Sequence, residues 1–146
     1  LEVDSLPPHL DGLRIVHVSD LQADPRTNPN RQRQYVEALN SLDAGLVLFS
    51  GDLITSGTTH IDEGAESPGK MKARLGVYAC LGDHDIWSDA GQVTASLRCN
   101  GIRTAHTGHF LLDVDGGELN LSMPLYVKNP RHRYRYCSLI NLLRTS

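Results

Sequence analysis

No run of apolar residues in this chain approaches the ~18 that a membrane-spanning helix requires, and no secretory signal pattern opens it. A span is thereby excluded from these residues, while the start at Leu1 rather than Met leaves an upstream segment open. A cytoplasmic or membrane-associated setting is expected, the membrane being reached through such an upstream segment. Cysteine is scarce: Cys80, Cys99 and Cys137 are an odd number without Cys-x-x-Cys spacing, so neither a zinc knuckle nor a disulfide framework is indicated. Cys80 falls in an apolar run and is expected to pack as a small buried hydrophobe. No repeat recurs at a period of about 20–50 residues, which removes solenoid and propeller architectures. Acid is missing from one end altogether. From residue 124 onward there are five bases and no acids, against 17 acids and 9 bases before it. Tyr126, Tyr134 and Tyr136 interleave with those bases. Five bases without a recognisable fold motif are nevertheless expected to form a solvated tail, and nucleic acid is not an expected partner.

What is present makes one domain. With 146 residues, 40% of them hydrophobic and 21% charged, the chain can bury one ordinary core. The change in charge divides it into residues 1–123 and a basic tail, 124–146.

Three apolar runs each end on an aspartate: Leu13-Arg-Ile-Val-His-Val-Ser-Asp20, Leu46-Val-Leu-Phe-Ser-Gly-Asp52 and Val77-Tyr-Ala-Cys-Leu-Gly-Asp83. Runs of this kind separated by helix-length segments predict a mostly parallel sheet, whose carboxyl-end crevice is the usual place for ligands. Three carboxylates gathered there would repel one another. The usual remedy is one or two hard cations, which take oxygen ligands.

Strands are expected over 13–19, 46–50 and 76–81. Tyr35, Val36, Leu39 and Leu42 give one apolar face to a helix over 29–42. Residues 23–30 read as a loop over the sheet edge, 55–68 as a mobile loop or weak helix, and 69–75 as a further helical stretch. Ser88 or Asp89 can cap a short helix carrying Val93 and Leu97. Runs 110–114 and 118–122, joined through Asp115-Gly-Gly117, predict a hairpin. Gly51 and Gly82 are expected to turn the chain sharply just before an aspartate.

The order Asp20-Leu-Gln22, Gly51-Asp52 and Gly82-Asp83-His84-Asp85, at separations of 32 and 31 residues, resembles the calcineurin-like metallophosphoesterase family. Its pattern is Asp-x-His, Gly-Asp, Gly-Asn-His followed by Asp or Glu, and later Gly-His and Gly-His-x-His. The resemblance covers roughly residues 10–120, and residues 10–21 are similar to the bacterial membrane-associated branch. It implies an α/β fold: a partial metallophosphoesterase-type β-sandwich flanked by helices, with the site in loops at the carboxyl ends of the strands. It implies Asp20, Gln22, Asp52 and Asp83 as metal ligands, with Asp52 bridging two ions about 3.5–4 Å apart. It implies His84 and Asp85 as the catalytic pair, the histidine donating to a phosphoryl or leaving oxygen and the acid fixing its tautomer.

Two positions depart from the family pattern. Gln22 stands where the first histidine is usual, and Asp83 where asparagine is usual. Both keep ligand-capable oxygen, so the expected ions are hard: Mn2+ foremost, with Zn2+, Fe2+ or Mg2+ as alternatives. No Gly-His-x-His occurs in the chain, and Gly108-His109, 24 residues after Asp85, reads as the opening of a hairpin. His17, inside the first strand, is expected to pack or bond locally, and His106 and His132 fit the motif worse still.

The expected function is therefore a metal-dependent phosphoester hydrolase, acting on a phosphomonoester or phosphodiester, of which this chain is a truncated amino-terminal part with weak or no turnover alone. The alternative is a non-catalytic remnant serving as a metal-binding or interaction module. A sheet short of strands to cover its second face would expose apolar surface, and self-association is expected on that ground.

Overall fold

A computed structural model of the chain describes residues 6–27, 29–105, 108–123 and 139–141, the last of these as backbone. A four-stranded sheet, parallel throughout, is built from β1 (Ile15–Val18), β2 (Leu46–Phe49), β3 (Val77–Ala79) and β4 (Arg103–Thr104), side by side in chain order. Between them come α1 (Pro29–Asn40), α2 (Ile61–Glu66) and α3 (Asp83–Cys99). A three-stranded antiparallel sheet follows, of β5 (Gly108–Val114), β6 (Gly117–Met123) and β7 (Leu139–Asn141). Its last strand comes from the basic tail; the rest of that tail, with His132 and Cys137, lies outside the described residues, as does His106.

Burial explains which strands are apolar. Every residue of β2 and β3 is buried, because both faces of these inner strands are covered. Val47, Phe49, Val77 and Ala79 pack with Val36 and Leu39 of α1, Ile61 and Ala65 of α2, and Val93 and Leu97 of α3. Leu46, Leu48 and Tyr78, on the alternate face, pack with Leu112, Val114, Leu119, Leu121 and Met123 of the hairpin. The expected bare second face is thus corrected. The β5–β6 hairpin covers it at β2 and β3, burying aliphatic side chains worth roughly 2 kcal/mol each. Edge strand β1 leaves Ile15 and His17 exposed, and His17 Nε2 meets the Ser50 hydroxyl at 2.8 Å.

The helices differ from expectation in instructive ways. In α1 the buried stripe is Gln32, Val36 and Leu39, while Tyr35 and Leu42 are exposed. Tyr35 lies one step, or about 100°, around the helix from Val36, and Leu42 falls beyond the last turn. The segment 55–68 contains α2, and 69–75 is irregular except for a single 3-10 turn at Pro68–Lys70. Asp89 interrupts α3 with φ −162° and ψ 96°, and its Oδ1 accepts the N–H of Gln92 at 2.9 Å. It therefore caps the second part of the helix, as its position before Val93 and Leu97 predicts. The hairpin closes through Asp115 and Gly116, both at positive φ, in a two-residue turn matched to strand twist.

Candidate metal centre

All three site segments leave the carboxyl ends of adjacent parallel strands. Pairing continues past those ends: Asp20 N–H donates to Gly51 O at 3.1 Å, Gln22 N–H to Asp52 O at 3.0 Å and Ala23 N–H to Leu53 O at 2.7 Å. The loops after β1 and β2 therefore run as one ribbon. To present their side chains, Asp20, Gln22 and Asp52 adopt left-handed backbone, with φ of 57°, 43° and 56°. Aspartate tolerates that region and glutamine much less, so Gln22 is held there by its neighbours.

Gly51, at φ 95°, supplies the turn its position predicts. Gly82 does something else. Its backbone is extended, and its role is space: a Cβ there would lie 2.0 Å from Asp52 Oδ1 and 2.5 Å from Asp52 N. The Asp52 carboxylate rests directly against the main chain that opens α3.

At that point Asp52, Asp83 and His84 bring one ligand atom each within 4.8 Å of one another. Asp52 is 5% exposed and Asp83 4%. Burial, followed by the charge of Asp83, pushes the Asp52 carboxyl up to about 6. Two buried carboxylates side by side, one with a raised proton affinity, suit a divalent cation, and the donor set of two carboxylates and an imidazole fits manganese, iron or zinc. Asp20 is exposed, takes a hydrogen bond from the Ser19 hydroxyl and stands outside this group. The Gln22 side chain is half-buried and makes no hydrogen bond among the described residues.

The catalytic pair is arranged differently from what the family resemblance implies. His84 Nδ1 meets the carbonyl oxygen of Thr55, not Asp85. A carbonyl only accepts, so Nδ1 carries the proton and Nε2 offers a lone pair to an ion, or an N–H to a substrate oxygen when the ring is protonated. Asp85, 1% exposed, points into the structure instead. Its carboxylate accepts the N–H groups of Asp52 at 2.9 Å, Leu53 at 2.9 Å, Ile54 at 3.4 Å and Gly82 at 3.0 Å. Burial raises its proton affinity, and these amides offset part of that rise. Asp85 is a brace for the Asp52 loop.

Two residues escaped the sequence reading. Thr55 orients His84 through a main-chain oxygen, which no side-chain pattern encodes. Asp24 accepts the Arg26 N–H at 2.7 Å and the Thr27 and Thr55 hydroxyls at 3.0 and 3.1 Å, tying the 23–30 loop to the end of β2. The Arg26 amide, helped by the hydroxyls, holds its carboxyl below the usual range. His109 lies exposed on β5, opposite Ser122, as a hairpin residue.

Acids at the ends of parallel strands, gathered with an imidazole, make this an α/β protein with a candidate metal centre. The family's sequence model, described as calcineurin-like phosphoesterase, matches residues 13–139, and the chain belongs to that family. It is 34% identical over 110 residues to a zebrafish (Danio rerio) transmembrane protein with metallophosphoesterase domain, covering 75% of this chain and 25% of the relative. The cattle (Bos taurus) protein of the same description is 26% identical over 78% of this chain and 26% of the relative. UDP-2,3-diacylglucosamine pyrophosphatase LpxG of Chlamydia muridarum is 36% identical over 53% of this chain and 24% of its own length. The chain thus spans about a quarter of these relatives. No solved structure matches it. Among the described residues no helix is long and apolar enough to cross a membrane.

Proposed function

We propose that this chain carries the aspartate–histidine half of a divalent-metal centre that hydrolyses a phosphomonoester, a phosphodiester or a pyrophosphate link. The observation that carries the reading is the convergence of Asp52, on left-handed backbone, with Asp83 and His84 of the first turn of α3, one ligand atom from each lying within 4.8 Å of the others. Divalent ions bound in such a centre would polarise the phosphoryl oxygens and supply an activated water. Asp52 would serve two ions, with Asp83 and Gln22 as further oxygen donors. Asp20, at the end of β1, would join by a rotation of its exposed side chain. His84, fixed by Thr55, would when protonated donate its Nε2–H to a phosphoryl oxygen or to the leaving group. Asp85 keeps Asp52 in place. The predominance of oxygen donors favours Mn2+. The transmembrane relatives support a membrane-tethered parent protein as part of this reading.

Calorimetry tests it. The chain should bind Mn2+, and Asp52→Asn, which removes one charge at constant volume, should weaken binding at least tenfold. Equal Mn2+ affinity in the two proteins would overturn the reading.

A further inference from the structure

Trp87 is the only tryptophan of the chain, and it is 55% exposed. An indole left so open contributes little to packing. Among the described residues its one ring contact is with His84, at 5.5 Å between centroids and 54° between planes. Its N–H has no hydrogen-bond partner among the described residues. The helical segment bearing Trp87 is pinned at its start by the Asp85 carboxylate and broken from the rest of α3 at Asp89, so the ring sits on the turn that presents Asp83 and His84.

We infer that Trp87 is a stacking wall for the leaving group, selecting phosphoryl compounds whose departing part carries a flat aromatic ring, aryl or nucleobase. The inference rests on the proposed hydrolase centre, because it places the leaving group beside His84. A group leaving there lies against the only large exposed aromatic face at the centre among the described residues, and base–indole stacking gains about 5- to 150-fold in affinity.

The test uses phosphonates, whose carbon–phosphorus bond resists hydrolysis, on the full chain with saturating Mn2+. Phenylphosphonate should bind about tenfold more tightly than cyclohexylphosphonate and perturb the Trp87 fluorescence. Uridine monophosphate against ribose 5-phosphate asks the same question of a nucleobase, and separates that source of the ring from a simple aryl group. In Trp87→Leu, measured by calorimetry, the aromatic preference should fall to parity while cyclohexylphosphonate and Mn2+ affinities stay unchanged. Equal binding of the ring-bearing and ring-free ligands by the parent chain, or a preference that survives Trp87→Leu, would overturn the inference. Failure of the hydrolase reading shows separately, as absent Mn2+ binding before any phosphonate is added.

Discussion

The carboxylate of Asp85 accepts the backbone N–H of Asp52 at 2.9 Å, so an acid on the first turn of α3 holds the β2 loop that presents the central ligand. Two segments 33 residues apart are fastened by that contact and its neighbours on Leu53 and Ile54.

Asp85→Asn replaces one acceptor oxygen by an amide group that faces N–H donors. Leaving such buried donors unpaired costs ~1–3 kcal/mol each, and a loss of about 3 kcal/mol in urea unfolding is expected. Mn2+ affinity should fall with it, although Asp85 touches no ion. Undiminished stability would show that these amides find other partners.

The pH dependence follows from Asp52. Its carboxyl is raised from 3.8 to about 6 in the folded chain, so the proton is held more tightly folded than unfolded. The contribution to stability is therefore full below pH 3.8 and disappears as pH rises through about 6. Relative to Asp52→Asn, the metal-free chain should lose on the order of 2 kcal/mol between pH 4 and pH 7. Mn2+ should restore it at pH 7, and its affinity should drop about tenfold per unit below pH 6. Parallel stability profiles of the two proteins would contradict this.

Gly82→Ala would place a methyl group 2.0 Å from Asp52 Oδ1, against backbone that cannot yield. Overpacking of this kind costs ~1–3 kcal/mol, and the displaced carboxylate should abolish Mn2+ binding. Thermal melting and a metal titration on the same sample check both effects.

Gln22 offers a trade between stability and affinity. Gln22→Gly relieves the left-handed backbone and should stabilise the fold by ~1 kcal/mol while weakening Mn2+ binding. Gln22→His should raise affinity for Zn2+ more than for Mg2+, since imidazole is the better donor to the softer ion. Equal gains for both ions would mean that this side chain does not reach the metal.

Much of this was legible in the chain because inner strands, buried on both faces, write themselves as unbroken apolar runs. Residues 46–50 and 76–81 were read within three residues of β2 and β3, and the Asp-Gly step located the hairpin turn. The beginning of α3 was missed, though its acids at positions 83 and 85 are what a helix N-terminus attracts. Other features could not be read. The Thr55–His84 and Asp24–Thr55 contacts join residues 29 and 31 apart through a main-chain oxygen and a hydroxyl. Where a hairpin docks depends on which face is vacant, and a linear pattern carries no such information.

The covering of the parallel sheet by β5 and β6 also sets a timetable for synthesis. Strands β1 to β4 are adjacent in chain order, so they and their helices can assemble as they leave the ribosome. Leu121, which seals Tyr78, follows it by 43 residues, an interval of a few seconds at about 5–20 residues per second. For that interval the nascent chain displays Leu46, Leu48 and Tyr78 to solvent or to a chaperone. Slow codons between positions 80 and 120 would lengthen the exposure, and misassembly in the cell would track translation speed rather than equilibrium stability.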